Sequence, residues 1–262
     1  MIMSQYQTVL YEVANRVATI TLNRPSASNA FNAQMRRELI AAIEAASNDD
    51  GVRVAILTGA GRHFSAGADL TEEVSADFLP QFAIEDEFKP GILAITQAPK
   101  PFLAAINGAA SGVASGYALA CDMVLMAENA CIHQAFSAIG LIPDGGATWQ
   151  LINHLGSKRA YELIAMGERL SAERCVNLGL ANRVVPTDVL LKEARALAEQ
   201  LAQRAPLALR YAKQVLRKVM KMELDDAISY EAALQNRLVR SEDAKEGIRA
   251  FLEKRQPVFT GR

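Results

Sequence analysis

Cysteine is scarce in this chain of 262 residues: there are three, and three histidines and one tryptophan beside them. Cys121, Cys131 and Cys175 are odd in number, show no C-x-x-C spacing and sit among apolar neighbours. They read as buried, reduced thiols, which excludes a disulfide framework and makes a cytoplasmic protein the expectation. His63, His133 and His154 are not linked by any metal-ligand spacing, so they read as structural or solvent-facing and no metal is expected. Neither charge sign dominates. A net charge of −1 excludes the broad basic surface that nucleic acid or an anionic membrane would require. No apolar run approaches a membrane span. The opening MIMSQYQTVLYEV lacks the basic and apolar regions of a signal peptide, and the closing FTGR is not a peroxisomal address. What the chain has is hydrophobic mass: half its residues, enough for one large domain or one domain with an appendage.

The pattern is strand, glycine turn, helix, repeated about four times. Val17–Leu22 reads as a strand ended by Asn23-Arg24-Pro25, and residues 33–47 carry apolar positions at helical spacing. Val52–Thr58 and Pro101–Ile106 are further strands, closed by Gly59-Ala-Gly61 and Asn107-Gly108. The stretch from about 74 to 90 is acidic and aromatic and reads as helical and mobile. A small-residue helix is expected over 112–120, short buried strands over Met123–Ala127 and Cys131–His133, and helices over 146–154 and 157–166. Parallel strands with helical crossovers fit this rhythm. From Leu190 onward, helices over 189–203, 206–219, 224–238 and 242–254 take over. We divide the chain into a core over residues 1–200 and a C-terminal helical region over 201–262.

Two segments carry the chemistry. HFSAGADL, residues 63–70, and INGAASGVASGYALACD, residues 106–122, each end a strand in a turn of small residues that opens a helix. Asp69-Leu-Thr-Glu72 fits a capping box, which predicts a helix start at Asp69 with the Ala68 N–H free before it. In the second segment a helix beginning near Gly112 leaves the Val113 N–H pointing forward with a share of the helix dipole. Two such amides aimed at one point form an oxyanion hole, which stabilises charge developing on a carbonyl oxygen. Taken singly, each turn is equally well read as a tight connection. Gly59-Ala-Gly-Arg62 and Gly108-Ala-Ala-Ser-Gly112 are not dinucleotide fingerprints, for neither has G-x-G-x-x-G with a later acidic residue in a βαβ unit.

These segments resemble the signatures of the crotonase superfamily, the enoyl-CoA hydratases and isomerases. The resemblance runs through TLNRP, LTGAG, LIPDGGATW, RLSAERCVNLGLANRVV and AFLEKRQPVFTGR, nearly the whole chain. In detail it is nearest the isomerase branch of phenylacetate breakdown. It implies an α/β fold, a spiral of repeated ββα units, with a C-terminal helical region that builds trimers or dimers of trimers. It implies a coenzyme A thioester as substrate, no permanently bound cofactor, and Ala68 and Val113 as the oxyanion donors. Asp122 matches a structural position.

The family's hydratases use two glutamates, because hydration needs one group to activate water and one to deliver a proton. Matched without gaps, those positions are Gly116 and Phe136, and neither titrates. What remains is Asp144, in Leu141-Ile-Pro-Asp-Gly-Gly-Ala-Thr148. By local sequence it is equally a helix N-cap. By resemblance it is the acid/base of the related isomerases, and one carboxylate suits a proton shift between two carbons. Its expected surroundings are Phe136, Ile139 and Leu141. Ser65, Ser111 and Ser115 have no histidine partner that would make them nucleophiles. Trp149 and Tyr117 line an acyl pocket or pack in the core.

Resemblance also places coenzyme A across Ala27, Ala66, Asp69 and Leu70, with Arg24 as the cation for its phosphates. Phe251 and Lys254 reach it from the C-terminal region, often from an adjacent subunit; Arg62, Lys100 and Arg255 are reserves. The expected activity is an acyl-CoA double-bond isomerase, on an aliphatic enoyl thioester or a phenylacetyl ring epoxide. The alternatives are an enoyl-CoA hydratase working through Asp144 and a water, and a non-catalytic acyl-CoA-binding protein.

Overall fold

A computed structural model describes residues 6–73 and 79–262. Two sheets organise it. The larger has the order β1 (Val9–Ala14), β2 (Val17–Leu22), β3 (Val54–Gly59), β4 (Phe102–Ile106), β6 (Met123–Ala127) and β9 (Arg183–Val185), with every pairing parallel except β1 with β2. The smaller joins β5 (Ala109–Ser111), β7 (Cys131–His133) and β8 (Arg169–Ser171).

The chain climbs from the larger sheet to the smaller one and then into a helix, three times over. β3 leads to Ser65, bridged to Ala110 of β5, and on to the helical stretch α2 (Pro80–Ala83), a π-helical turn Ile84–Phe88 and α3 (Lys89–Gln97). β4 leads to β5 and α4 (Val113–Ala120); β6 leads to β7 and α5 (Ala147–Met166). This is the ββα spiral expected from the resemblance. Alternation from one sheet to the other needs no polar strand faces, because both faces are covered. All five residues of β4 are therefore buried.

The helices fall where their periodicity put them. α1 (Ala33–Asn48) is capped by the Asn32 side chain on the Met35 N–H at 2.9 Å. α5 is broken at Gly156 (φ 72°, ψ 166°), which makes it the two helices read from sequence. α6 (Ala172–Asn177) and α7 (Leu190–Ala202) complete the body, α7 lying across β2, β3, β4 and β6. α8 (Pro206–Val219), α9 (Leu224–Leu238) and α10 (Glu242–Leu252) follow. Residues 80–90 are helical as expected and the helix runs on, beyond the stretch read from sequence, to Gln97, whereas residues 74–78 lie outside the described residues. α6 and the strands β1, β5, β8 and β9 escaped the sequence reading: β5 is Ala-Ala-Ser, with no strand-forming bulk.

Lys213 ties α8 to the body. Its buried ammonium donates to Ile95 O (2.8 Å), Lys100 O (3.1 Å) and Asp122 Oδ2 (2.7 Å), and Asp122 also accepts from the Phe102 N–H. The structural role read for Asp122 is visible in this knot. Lys213→Met strands a carboxylate and two carbonyls, so we expect it to cost about 3 kcal/mol of unfolding free energy. Denaturant titration checks this; a loss below ~0.5 kcal/mol means the knot contributes nothing. The chain end folds back, with Asp243 accepting from the Thr260 and Gly261 N–H groups and Arg53 donating to Thr260 O. No described helix is long and apolar enough to cross a membrane.

Candidate active site

The two glycine turns meet. Ser65 N–H donates to Ala109 O (3.1 Å) and Ser111 N–H to Ser65 O (2.9 Å), so the first turn is laced to the second. They approach so closely at Gly67 (φ 95°) that a methyl group there would lie 2.8 Å from Ser111 O. Only glycine fits that backbone in that space.

Each turn fixes one peptide plane. Gly67 O accepts from the Phe31 N–H at 2.8 Å. In a trans peptide the C=O and the following N–H point opposite ways, so the Ala68 N–H faces away from Phe31. Gly112 O accepts from the Ser115 N–H at 3.0 Å, which turns the Val113 N–H outward at the first position of α4. Among the described residues neither amide has an acceptor. Two unspent donors on touching loops, one at a helix N-terminus, suit an anionic oxygen.

The 141–146 loop closes over the same place. A methyl group on Gly145 would meet Val113 Cγ2 at 2.6 Å, so this glycine lies against the second donor's own side chain. Asp144 is thereby carried to the first turn of α4. It is partly buried, and its Oδ1 has no hydrogen-bond partner among the described residues. Burial pushes its pKa up, against a smaller opposing pull from a backbone N–H. The cap alternative falls away: the residue before α5 is Gly146, and no side chain caps that helix.

Comparison with known proteins gives this geometry its lineage. The family model for enoyl-CoA hydratase/isomerase matches residues 12–262. The chain belongs to the enoyl-CoA hydratase/isomerase family. It is 40% identical to a probable enoyl-CoA hydratase of Rhodobacter capsulatus, over 98% of this chain and 99% of that protein. It is 37% identical to the 1,2-epoxyphenylacetyl-CoA isomerase of Escherichia coli, over 97% and 98%. Among solved structures, an enoyl-CoA hydratase subunit I from Geobacillus kaustophilus superposes with a TM-score of 0.92 at 36% identity, covering 99% of this chain and all of that one.

Of the two positions that by resemblance carry glutamate in the hydratases, Gly116 is closed by geometry and the other is filled by Phe136. A methyl group on Gly116 would stand 2.5 Å from Gly145 O, so the loop that brings Asp144 occupies the room a side chain at 116 would need. At the other position the Phe136 ring lies beside Gly112, 3.7 Å from where a methyl group there would sit. The loop leaves one carboxyl beside an apolar wall. Ile139 and Leu141, expected to bury Asp144, are instead more than half exposed (53% and 54%), Ile139 at the end of the 3-10 turn Ser137–Ile139 and Leu141 just beyond it. The loop's contacts run to Val113, Ile92 and Gly116.

The capping box at Asp69 is also corrected: no helix starts there. Asp69 Oδ2 takes Arg24 Nη1 at 2.8 Å, and Glu72 accepts from the Ala33 N–H (2.7 Å) and Arg36 Nη1 (2.8 Å). The Thr71 hydroxyl, with Arg24, holds the Asp69 carboxyl below the usual carboxylate range. A charge partner across the chain outcompetes a local cap. Arg24 therefore meets Asp69 rather than standing free.

Ala68, Asp69 and Leu70 line a cleft of about 580 Å³ with Arg36, Phe82 and Phe88. Ala27 sits in the 3-10 turn Pro25–Ala27, and the Ala66 N–H is held by Ser28 O at 2.9 Å. Phe251 and Lys254 are not brought to this cleft within one chain; Phe251 is 83% exposed at the end of α10. Of the reserve cations, Lys100 is spent on Ala46 O and Asp49 O, and Arg255 on Glu246 and Glu253. Tyr117 is core, its hydroxyl on Phe88 O (3.2 Å). Trp149 lines a second cleft of about 600 Å³ with Ile92, Gly146 and Gln150. The reading of the sequence missed Gln134 and the Gly145 carbonyl and weighed Ser115 only as a nucleophile without a histidine partner, since nothing in their local letters marks the contacts they make.

Proposed function

We propose that this family member is an acyl-CoA double-bond isomerase with one acid/base, Asp144. The Ala68 and Val113 amides receive the thioester oxygen. The Asp144 carboxylate removes a proton from the carbon beside the carbonyl of a β,γ-unsaturated thioester. The freed electron pair spreads into a dienolate, held at oxygen by the two amides. The Asp144 carboxylic acid then returns its proton to the carbon two positions further out, leaving the α,β-unsaturated thioester. Burial strengthens Asp144 as a base, and a group whose pKa moves towards neutrality serves both directions of transfer. The observation that carries this reading is the Gly145 carbonyl at the Gly116 position: the loop that delivers one acid excludes a second.

A β,γ-enoyl-CoA is expected to give its conjugated isomer, seen as rising enoyl absorbance, while crotonyl-CoA is left unchanged. Rapid loss of crotonyl absorbance through hydration would overturn the isomerase reading. The hydratase names borne by relatives favour that rival, with Asp144 acting on a bound water. The relative named 1,2-epoxyphenylacetyl-CoA isomerase favours a ring epoxide as an alternative substrate of the isomerase.

Coenzyme A enters as part of the substrate, along Ala27, Ala66, Asp69 and Leu70, and Arg24 reaches its phosphates only by sharing or giving up its pair with Asp69. The region 201–262 is assigned to assembly of trimers or hexamers. Exposed apolar residues on its helices, among them Leu216, Met220, Leu224, Ile228 and Phe251, support this. In such an assembly Phe251 and Lys254 reach a neighbour's coenzyme A.

A further inference from the structure

Behind Val113 runs a buried polar chain that the proposed reaction does not use. Ser115 Oγ lies 2.7 Å from Gly112 O, and Gln134 Nε2 lies 2.9 Å from Ser115 Oγ. Both side chains are 0% exposed. The hydroxyl has one proton. If the Gln134 amide were reversed, two acceptor oxygens would compete for it; with the NH₂ towards Ser115 the proton is left for Gly112 O. Gln134 Oε1 is buried and has no partner among the described residues, so the hydrogen bond to Ser115 is the one its side chain makes there. A buried polar atom left without a protein partner is destabilising unless something else satisfies it.

We infer that Ser115 and Gln134 are positioning residues for the Val113 amide: Gln134 fixes the Ser115 hydroxyl, and the hydroxyl anchors the peptide plane that carries that N–H. The inference rests on the reading of Val113 as an oxyanion donor. Gly112 O and Val113 N–H are opposite ends of one planar group, so holding the oxygen aims the hydrogen. Two bonds into that oxygen, from the Ser115 N–H and Oγ–H, also polarise the peptide and make its N–H a stronger donor. The backbone already restrains this turn through the Ser115 N–H on Gly112 O and the Gly112 N–H on His133 O (3.0 Å), and at a glycine of φ 54° the side-chain bond adds a second hold on the same oxygen.

The test is infrared difference spectroscopy of butyryl-CoA, isotopically labelled at its thioester carbonyl, bound to wild type, Ser115→Ala, Gln134→Leu and the double variant. Wild type is expected to lower the carbonyl frequency, and Ser115→Ala to lose about half of that shift. Its kcat should fall about ten-fold with KM nearly unchanged, less than the roughly hundred-fold of deleting a donor. Gln134→Leu, which removes an already unsatisfied oxygen, should show a smaller loss in the same direction. The double variant should be no worse than Ser115→Ala, because one acts through the other. A wild-type carbonyl shift in Ser115→Ala, with or without reduced turnover, overturns the inference while leaving the oxyanion hole standing. Absence of any shift in wild type overturns the oxyanion-hole reading, and the inference with it. Asp144→Asn separates the two, since it should keep the shift and lose turnover.

Discussion

Asp144→Asn is expected to lower isomerisation about a thousand-fold, the range in which general acid–base groups contribute. Acyl-CoA binding should persist, because the two amides do not depend on the carboxylate. In wild type, turnover should fall on the acid side with a midpoint above the ordinary carboxylate range, since burial raises the Asp144 pKa. The stability effect has the opposite sign from the activity effect. A carboxyl whose folded pKa is raised contributes stability that is complete below its unfolded pKa, near 4, and is lost as pH rises through the folded value. At neutral pH wild type therefore carries a charged, part-buried group that the asparagine variant lacks. The variant should melt at or above the wild-type temperature at pH 7, and that advantage should vanish as the pH approaches 4. Thermal scans at both pH values beside an isomerase assay check this. Wild-type turnover in the variant would remove Asp144 from the chemistry.

Gly116→Ala is the second large effect, and it tests why this member lacks the hydratases' acids. The added methyl would stand 2.5 Å from Gly145 O, against backbone rather than a flexible side-chain end. Overpacking of this kind costs about 1–3 kcal/mol. Relief must come from the 141–146 loop, the one that carries Asp144, and a displacement of about 1 Å in a reacting group costs on the order of a hundred-fold in rate. We expect a folded protein, modestly destabilised, with kcat down by about that factor. Gly116→Glu should lose isomerisation at least as strongly without acquiring hydration, because the loop fills the place where the glutamate would reach. Efficient crotonyl-CoA hydration by Gly116→Glu would show that the loop yields and that the missing acid is the whole difference.

Much of the fold was legible in the letters. Helical apolar spacing located α1, α7, α8, α9 and α10 within a few residues and a run of small residues located α4, while short apolar runs bounded by turn residues located β2, β3, β4 and β6. The break in α5 was legible as well, because Gly156 interrupts the helical pattern between its two halves. β5 (Ala-Ala-Ser) and β8 (Arg-Leu-Ser) are as short as β7 and lack an apolar run to mark them, and their existence depends on a partner distant in sequence. The Asp69–Glu72 turn failed for a related reason. The local letters specify a cap, but Arg24 and Arg36 arrive from elsewhere in the chain and capture both carboxylates.

By itself the sequence determined the rhythm of strand, glycine turn and helix and the two turns of small residues, since each is a matter of local composition and order; the family and its ββα units came through the resemblance those segments carry. The tertiary structure decided the rest. It laid the two turns side by side, set the Gly145 carbonyl into the space above Gly116, left one oxygen of Asp144 buried without a partner among the described residues, and joined Gln134 to Ser115 behind the Val113 amide. Those are distances between residues far apart along the chain, and a local pattern of side chains carries no information about which loop will fill which gap.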